Sequence, residues 1–119
     1  MFDDGRPLFL QIAEQITTSI ADGSLAEGDR APSMNELASF YRINPATAAK
    51  GLNHLTATGV LYKKRGIGMF VASGARERVL AERRAAFVSN YVKPLLAEAA
   101  NIGLAPDAVI DLIAKEAAS

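Results

Sequence analysis

Three short clusters between Ser33 and Gly68 carry groups suited to anionic oxygen. They are Ser33 with Asn35; Asn44, Pro45, Thr47 and Lys50; and Lys63, Lys64 and Arg65, followed by Gly66-Ile67-Gly68. Hydroxyl and carboxamide groups hydrogen-bond phosphate oxygens or base edges, and lysine and arginine neutralise phosphate charge. Asn35 carries the donor–acceptor pair that matches an adenine edge, and Lys50 has the reach for a phosphate or a guanine. Bond-breaking chemistry has no comparable set. The chain has no cysteine and one histidine, His54. No carboxylates stand at ligand spacing from it, so no metal site, nucleophile–base pair or enzymatic activity is expected. His54 is read as a half-buried or solvent-facing helix residue. No helix follows Gly66-x-Gly68, so it is no dinucleotide fingerprint. Asp3-Asp4 is read as an unstructured terminus and not as a catalytic pair. No cofactor is expected.

The elements that must position these groups are legible. Ser33 with Glu36 three residues on forms a capping-box pair that opens a first helix, on which Leu37, Ala38 and Tyr41 recur at helical spacing. Arg42-Ile43-Asn44-Pro45 is a turn, with Asn44 as N-cap and Pro45 at the first helical position, where its missing N–H costs nothing. A second helix runs from about Pro45 to Thr58, burying Ala48, Leu52 and Leu55 and stopping at Gly59. Gly51 lies inside it, and close packing of the two paired helices is the expected reason. Val60-Leu61-Tyr62 and Met69-Phe70-Val71 are β-prone runs joined across a basic tip. Free backbone N–H groups beside Ser33 favour a phosphate there, and Gly66 and Gly68 permit close approach of the hairpin to a sugar–phosphate chain.

Upstream, Leu8, Ile12, Ala13, Ile16 and Ile20 form one stripe of an amphipathic helix ending at Asp22-Gly23. Ser24 to Arg30 is read as a returning loop, with Leu25 and Ala31 tucked beneath it. The order helix, helix, turn, helix, basic hairpin is that of a winged helix-turn-helix. The fold class expected is therefore mainly α with a small β-hairpin.

At 119 residues with 13 basic and 13 acidic side chains, the formal net charge is zero. The charges are nevertheless segregated. Asp3, Asp4, Glu14, Asp22, Glu27 and Asp29 meet only Arg6 and Arg30 in the first segment, whereas Arg42, Lys50, Lys63, Lys64 and Arg65 meet only Glu36 between Ala31 and Val71. A local positive excess of this kind is an electrostatic footprint for phosphates. No apolar run approaches the ~20 residues of a membrane-spanning helix, and Met1-Phe2-Asp3-Asp4-Gly5 has no apolar signal core. A cytoplasmic protein is expected.

After Ala72-Ser73-Gly74, a helical pattern extends from about Ala75 to Ala100, with Leu80, Phe87, Tyr91, Leu95 and Ala99 as its apolar stripe. Pro94 should kink it or unsettle its preceding turn. Asn101-Ile102-Gly103 turns the chain, and a last helix carries Val109, Ile110, Leu112 and Ile113. Two greasy stripes with little to cover them point to a second copy of the chain. Residues 1–73 are thus read as the winged helix and 74–119 as a two-helix dimerisation tail. Leu80, Phe87, Tyr91, Leu95, Val109, Leu112 and Ile113 are its expected contacts.

Pro7-Leu8-Phe9-Leu10-Gln11-Ile12, Gly28-Asp29-Arg30, Pro32-Ser33, Glu36-Leu37-Ala38, Ile43-Asn44-Pro45, Thr47, Lys50 and Gly66-x-Gly68-x-Phe70-Val71 together resemble the GntR family of bacterial transcription regulators. The short tail resembles the YtrA-type subgroup, which lacks a larger effector domain. The resemblance implies a homodimer that binds double-stranded operator DNA with inverted-repeat symmetry, most often as a repressor. Ser33, Asn35, Asn44, Pro45, Thr47, Lys50, Lys63, Lys64, Arg65, Gly66 and Gly68 would form the interface. The chain departs from the family pattern at Asn35, where an arginine is usual, at Ala46, and at Ile67 and Met69 in the wing. A small-molecule effector, if one exists, is expected at the dimer interface, because the tail is too short to enclose a pocket alone. The rival reading is a winged-helix protein-interaction module whose basic wing meets an acidic partner without sequence-specific DNA binding.

Overall fold

The computed structural model describes residues 5–119; Asp3-Asp4, read above as a terminus, lies outside them. The elements are helices α1 (Leu8–Ala21), α2 (Met34–Tyr41) and α3 (Pro45–Ala57), strands β1 (Leu61–Lys64) and β2 (Gly68–Val71), then helix α4 (Ala75–Phe87), a π-helical turn at Val88–Val92, and helices α5 (Lys93–Asn101) and α6 (Pro106–Ala118). Two compact units divide the chain, one through Leu80 and one from Ala81.

In the first unit the apolar stripe of α1 lies in the core, with Ile12, Ile16 and Ile20 all buried. Ala48, Leu52 and Leu55 of α3 meet it, and Leu37 of α2 completes the cluster. Gly51 is explained by α1 rather than by the paired helix α2. A Cβ there would stand 2.9 Å from the Phe9 carbonyl oxygen and 3.2 Å from Ile12 Cγ2. Only a residue without a side chain lets the two backbones approach so closely.

The hairpin is antiparallel, with Leu61 opposite Val71 and Lys64 opposite Gly68. Its strands reach further into the basic run than the apolar residues alone suggested, leaving Arg65, Gly66 and Ile67 as the turn. The returning loop is more ordered than expected. It lies along the free edge of β2: the Ala31 N–H donates to Met69 O (2.8 Å), and the Val71 N–H to Asp29 O (2.9 Å). Arg30 is thereby paired opposite Phe70. The first turns of α4 also belong to this unit, since Ala75 and Val79 are buried in its core. Arg76 donates from Nε and Nη2 to Ala21 O at the end of α1, and Arg78 Nη1 donates to Thr58 O at the end of α3. Both guanidinium groups satisfy carbonyls that a helix C-terminus leaves without partners, and both oppose its negative dipole end.

In the second unit Pro94 unsettles the turn before it, one of the two outcomes expected of it. Proline lacks an N–H and its ring crowds the carbonyl four residues back. The chain responds with the wide turn at Val88–Val92, in which the Lys93 N–H reaches back five residues to Val88 O. Wide turns of this kind resolve such conflicts without ending the helix. Ala99 of α5 and Val109 of α6 are buried. Val109 therefore belongs to this unit's own packing, not to the exposed face expected of it. Phe87, Tyr91, Leu95, Leu112 and Ile113 remain exposed, joined by Leu96, Ile102 and Ile110; Leu80, in the first unit, is half-buried.

Candidate nucleic-acid interface

The cap residues of α2 and α3 are in place. Ser33 Oγ accepts from the Glu36 N–H (3.1 Å) while the Glu36 carboxylate accepts from the Ser33 N–H (2.9 Å), a complete capping box. Hydrogen bonds donated to the carboxylate, from the Ser33 N–H first and its hydroxyl second, hold the Glu36 carboxyl below its ordinary pKa, and Arg30 adds to the effect. Asn44 Oδ1 accepts from the Ala46 N–H at 2.8 Å. Capping occupies the acceptor of Asn44 and leaves its NH₂ group for a phosphate. Pro45 occupies the first turn of α3.

Beyond its cap, α3 exposes Ala46, Lys50 and Asn53 at helical spacing, and Thr47 is half-buried beside them. The face therefore presents two methyl groups' worth of apolar surface (Ala46, with half-buried Ala49) around one cation and one carboxamide. That set suits thymine methyls, phosphates and adenine edges. Lys50 is not simply extended into solvent: its ammonium lies 4.3 Å from the centre of the Phe9 ring on α1. His54, one turn further, presents edge-on to the same ring at 6.1 Å. His54 is thus solvent-facing, one of the two helix positions read for it from the sequence. No cluster of three or more metal-ligating side chains occurs among the described residues.

The basic run is split by the pleat of the hairpin. Tyr62 and Phe70 stack on one face, with ring centres 5.9 Å apart, and the Lys64 ammonium rests 4.6 Å from the Phe70 ring. Lys63, on the other face, shares a cleft of about 320 Å³ with Ser33, Ala49, Asn53 and Met69. Arg65 and Gly66 form the tip. Gly68 (φ 142°) lies against Arg30, whose Nε would stand 3.0 Å from a Cβ placed there. Asn35 is exposed near the start of α2, two residues after Ser33.

Sequence reasoning brought together Ser33, Lys63 and α3 but missed Arg30, Asn53 and Phe9. Arg30 was counted with the acidic first segment, whereas its pairing with β2 carries it to the wing. The spacing of Asn53 from Ala46 and Lys50 was the available signal for its position.

A family model described as "Bacterial regulatory proteins, gntR family" matches residues 8–71. The chain is 34% identical over 74 residues to the HTH-type transcriptional regulator YhcF of Bacillus subtilis (strain 168), spanning 61% of that protein's length. It is 29% identical over 98 residues to the HTH-type transcriptional repressor YtrA of the same organism, covering 82% of this chain and 75% of YtrA. Among solved structures, a transcriptional regulator from Oenococcus oeni superposes with a TM-score of 0.82 at 25% identity, covering 97% of this chain and 94% of that one. The DNA-binding domain of AraR, solved in complex with operator ORX1, superposes with a TM-score of 0.56 at 29% identity over 60% of this chain and 87% of that one. The match takes in α1, the capping box of α2, the Asn44-Pro45 turn, α3 and the whole wing, and the chain belongs to the gntR family of bacterial regulatory proteins.

Proposed function

We propose that the protein is a transcriptional repressor that binds an inverted-repeat operator as a homodimer, with the winged helix as reader and the helical tail as the dimer contact. The observation that carries the reading is the cleft that Ser33 of the α2 cap, Asn53 of α3 and Lys63 of the wing line together, beside an α3 whose Asn44 cap and Lys50 are exposed. A winged helix places its second helix in the major groove, and the hairpin tracks the flanking backbone or minor groove. Arg65, Gly66 and Gly68 bring the wing tip to the sugar–phosphate chain, and Asn35 and Pro45 flank the groove-facing ends of α2 and α3. Repression is supported by the relative YtrA, named a repressor, and operator binding by the complex of the AraR domain.

The tail supports the dimer through exposed apolar surface. Phe87 is 57% and Tyr91 66% exposed, with ring centres 5.7 Å apart. Leu95, Leu112 and Ile113 line an open cleft of about 380 Å³. Surface of this kind is normally covered by a partner. An apolar effector would bind in the same cleft at the dimer interface. The reading is tested by the mass of the free protein and of its complex with duplex DNA. Two copies in each state are expected; one copy on the duplex would rule out the homodimer.

A further inference from the structure

The cleft between the wing and the helix pair is unlike the rest of the interface. Its floor is apolar, from Leu52 and Met69, and its rim carries Arg30, Ser33, Asn53 and Lys63. These four come from four separate places in the chain: the segment paired with β2, the cap of α2, the exposed face of α3, and β1. Two cationic side chains lining one cleft favour an anion within it. The carboxylate near the rim is that of Glu36, whose Oε1 stands 4.0 Å from Arg30 Nη1. The same oxygen accepts from the Ser33 N–H at 2.9 Å. The capping box therefore holds Glu36 and leaves the Arg30 fork with a long, partial contact. Arg30 is 53% exposed along its side chain, and the absence of a side chain at Gly68 lets it lie flat against the wing.

The geometry points to a single operator phosphate seated in this cleft, bound by the Arg30 guanidinium and the Lys63 ammonium together, with the Asn53 carboxamide donating to its oxygens. Guanidinium and ammonium groups are the strongest phosphate partners a protein offers, and the planar fork of arginine adds orientation. The consequence is mechanical as well as electrostatic. One phosphate then touches the wing, the α2 entry and α3 at once, and fixes them in one register on the backbone. Arg30 thereby supplies a cation at the α2 entry, where Asn35 stands in place of the family's usual arginine.

This inference rests on the DNA-binding reading and is tested with an operator duplex selected by the intact protein from random DNA. Arg30→Gln and Lys63→Gln should each weaken binding about tenfold or more, and the double variant should lower the slope of log K against log salt by about 0.9, the share of the one phosphate the two cations neutralise together. Arg30→Lys should keep the wild-type slope. Replacing operator phosphates one at a time by neutral methylphosphonates should reveal one position at which wild type, Arg30→Gln and Lys63→Gln bind about equally. Wild-type affinity in Arg30→Gln or a wild-type slope in the double variant would overturn the proposal, as would two variants that respond to different phosphates. If the wild-type protein selects no operator, the DNA-binding reading falls and this inference with it. If it selects one and the variants behave as wild type, only this inference falls. Thermal midpoints of the variants, expected within a few degrees of wild type, separate lost contacts from lost fold.

Discussion

The Lys50 ammonium stands 4.3 Å from the centre of the Phe9 ring, which ties the exposed face of α3 to α1. A cation over an aromatic face at an exposed site is held by roughly 0.5–1 kcal/mol. That is enough to bias the side chain but weaker than a charge-assisted bond to phosphate. Lys50 is therefore kept at the α1–α3 seam in free protein and is available to DNA at little cost. Lys50→Ala is expected to weaken operator binding and to lower the salt slope by about 0.9, the share of one phosphate. Phe9→Leu is expected to leave that slope unchanged. A titration series from low to moderate salt checks both, and an unchanged slope in Lys50→Ala would remove Lys50 from the interface.

Gly51→Ala sets helix propensity against packing. Alanine favours a helix interior by about 1 kcal/mol over glycine, but its methyl group would meet the Phe9 carbonyl oxygen at 2.9 Å and Ile12 at 3.2 Å. Backbone cannot yield as a flexible side chain does, and overpacking of this kind costs about 1–3 kcal/mol. A net loss of stability is expected in chemical denaturation, with the midpoint moving to lower denaturant. A more stable variant would mean that α1 and α3 separate without penalty.

The capping box should be visible in the acid limb of the stability curve. Hydrogen bonds from Ser33 lower the Glu36 pKa from its ordinary 4.5, so folded protein holds this proton less tightly than unfolded chain does. The stabilisation is then complete above the ordinary value and disappears as pH falls through the lowered one. Ser33→Ala removes part of the cause and should flatten stability against pH in that window, with little change in slope near neutrality. A parallel loss at every pH would assign the effect to helix capping alone.

Leu95→Asp places a charge in the exposed apolar cleft of the tail. Buried against a second copy, an unpaired carboxylate is strongly unfavourable. The variant is expected to be monomeric by light scattering and to bind a full operator far less tightly than wild type. The helix content should be unchanged, because Leu95 is 43% exposed within its own unit. A variant that remains dimeric would place the interface elsewhere.

Much of the winged helix was legible because its signals are local. Ser33–Glu36, Asn44-Pro45 and the β-prone runs of the wing each depend on residues within a few positions of one another. The pairing of Arg30 with Phe70, the approach of Phe9 to Gly51 and Lys50, and the capping of Thr58 by Arg78 join residues far apart in sequence, and no local pattern announces them. For the same reason, a basic run read as three equivalent cations divides in the structure into Lys63 facing the cleft, Lys64 held on an aromatic pair and Arg65 at the tip. Pro94 signalled a kink or an unsettled preceding turn, and the structure takes the second, because the carbonyl conflict arises upstream of the ring. Val109 looked like its apolar neighbours on α6 and differs from them only in being covered by its own unit.

The most direct test of the central claim is selection of binding sites from random duplex DNA by the purified protein at fixed, near-physiological salt. The account predicts enrichment of two inverted half-sites with centres about one helical turn apart, the spacing that a symmetric pair of winged helices imposes. Binding that is salt-labile and enriches no motif would contradict it, and would identify the winged helix as a docking surface for an acidic protein partner.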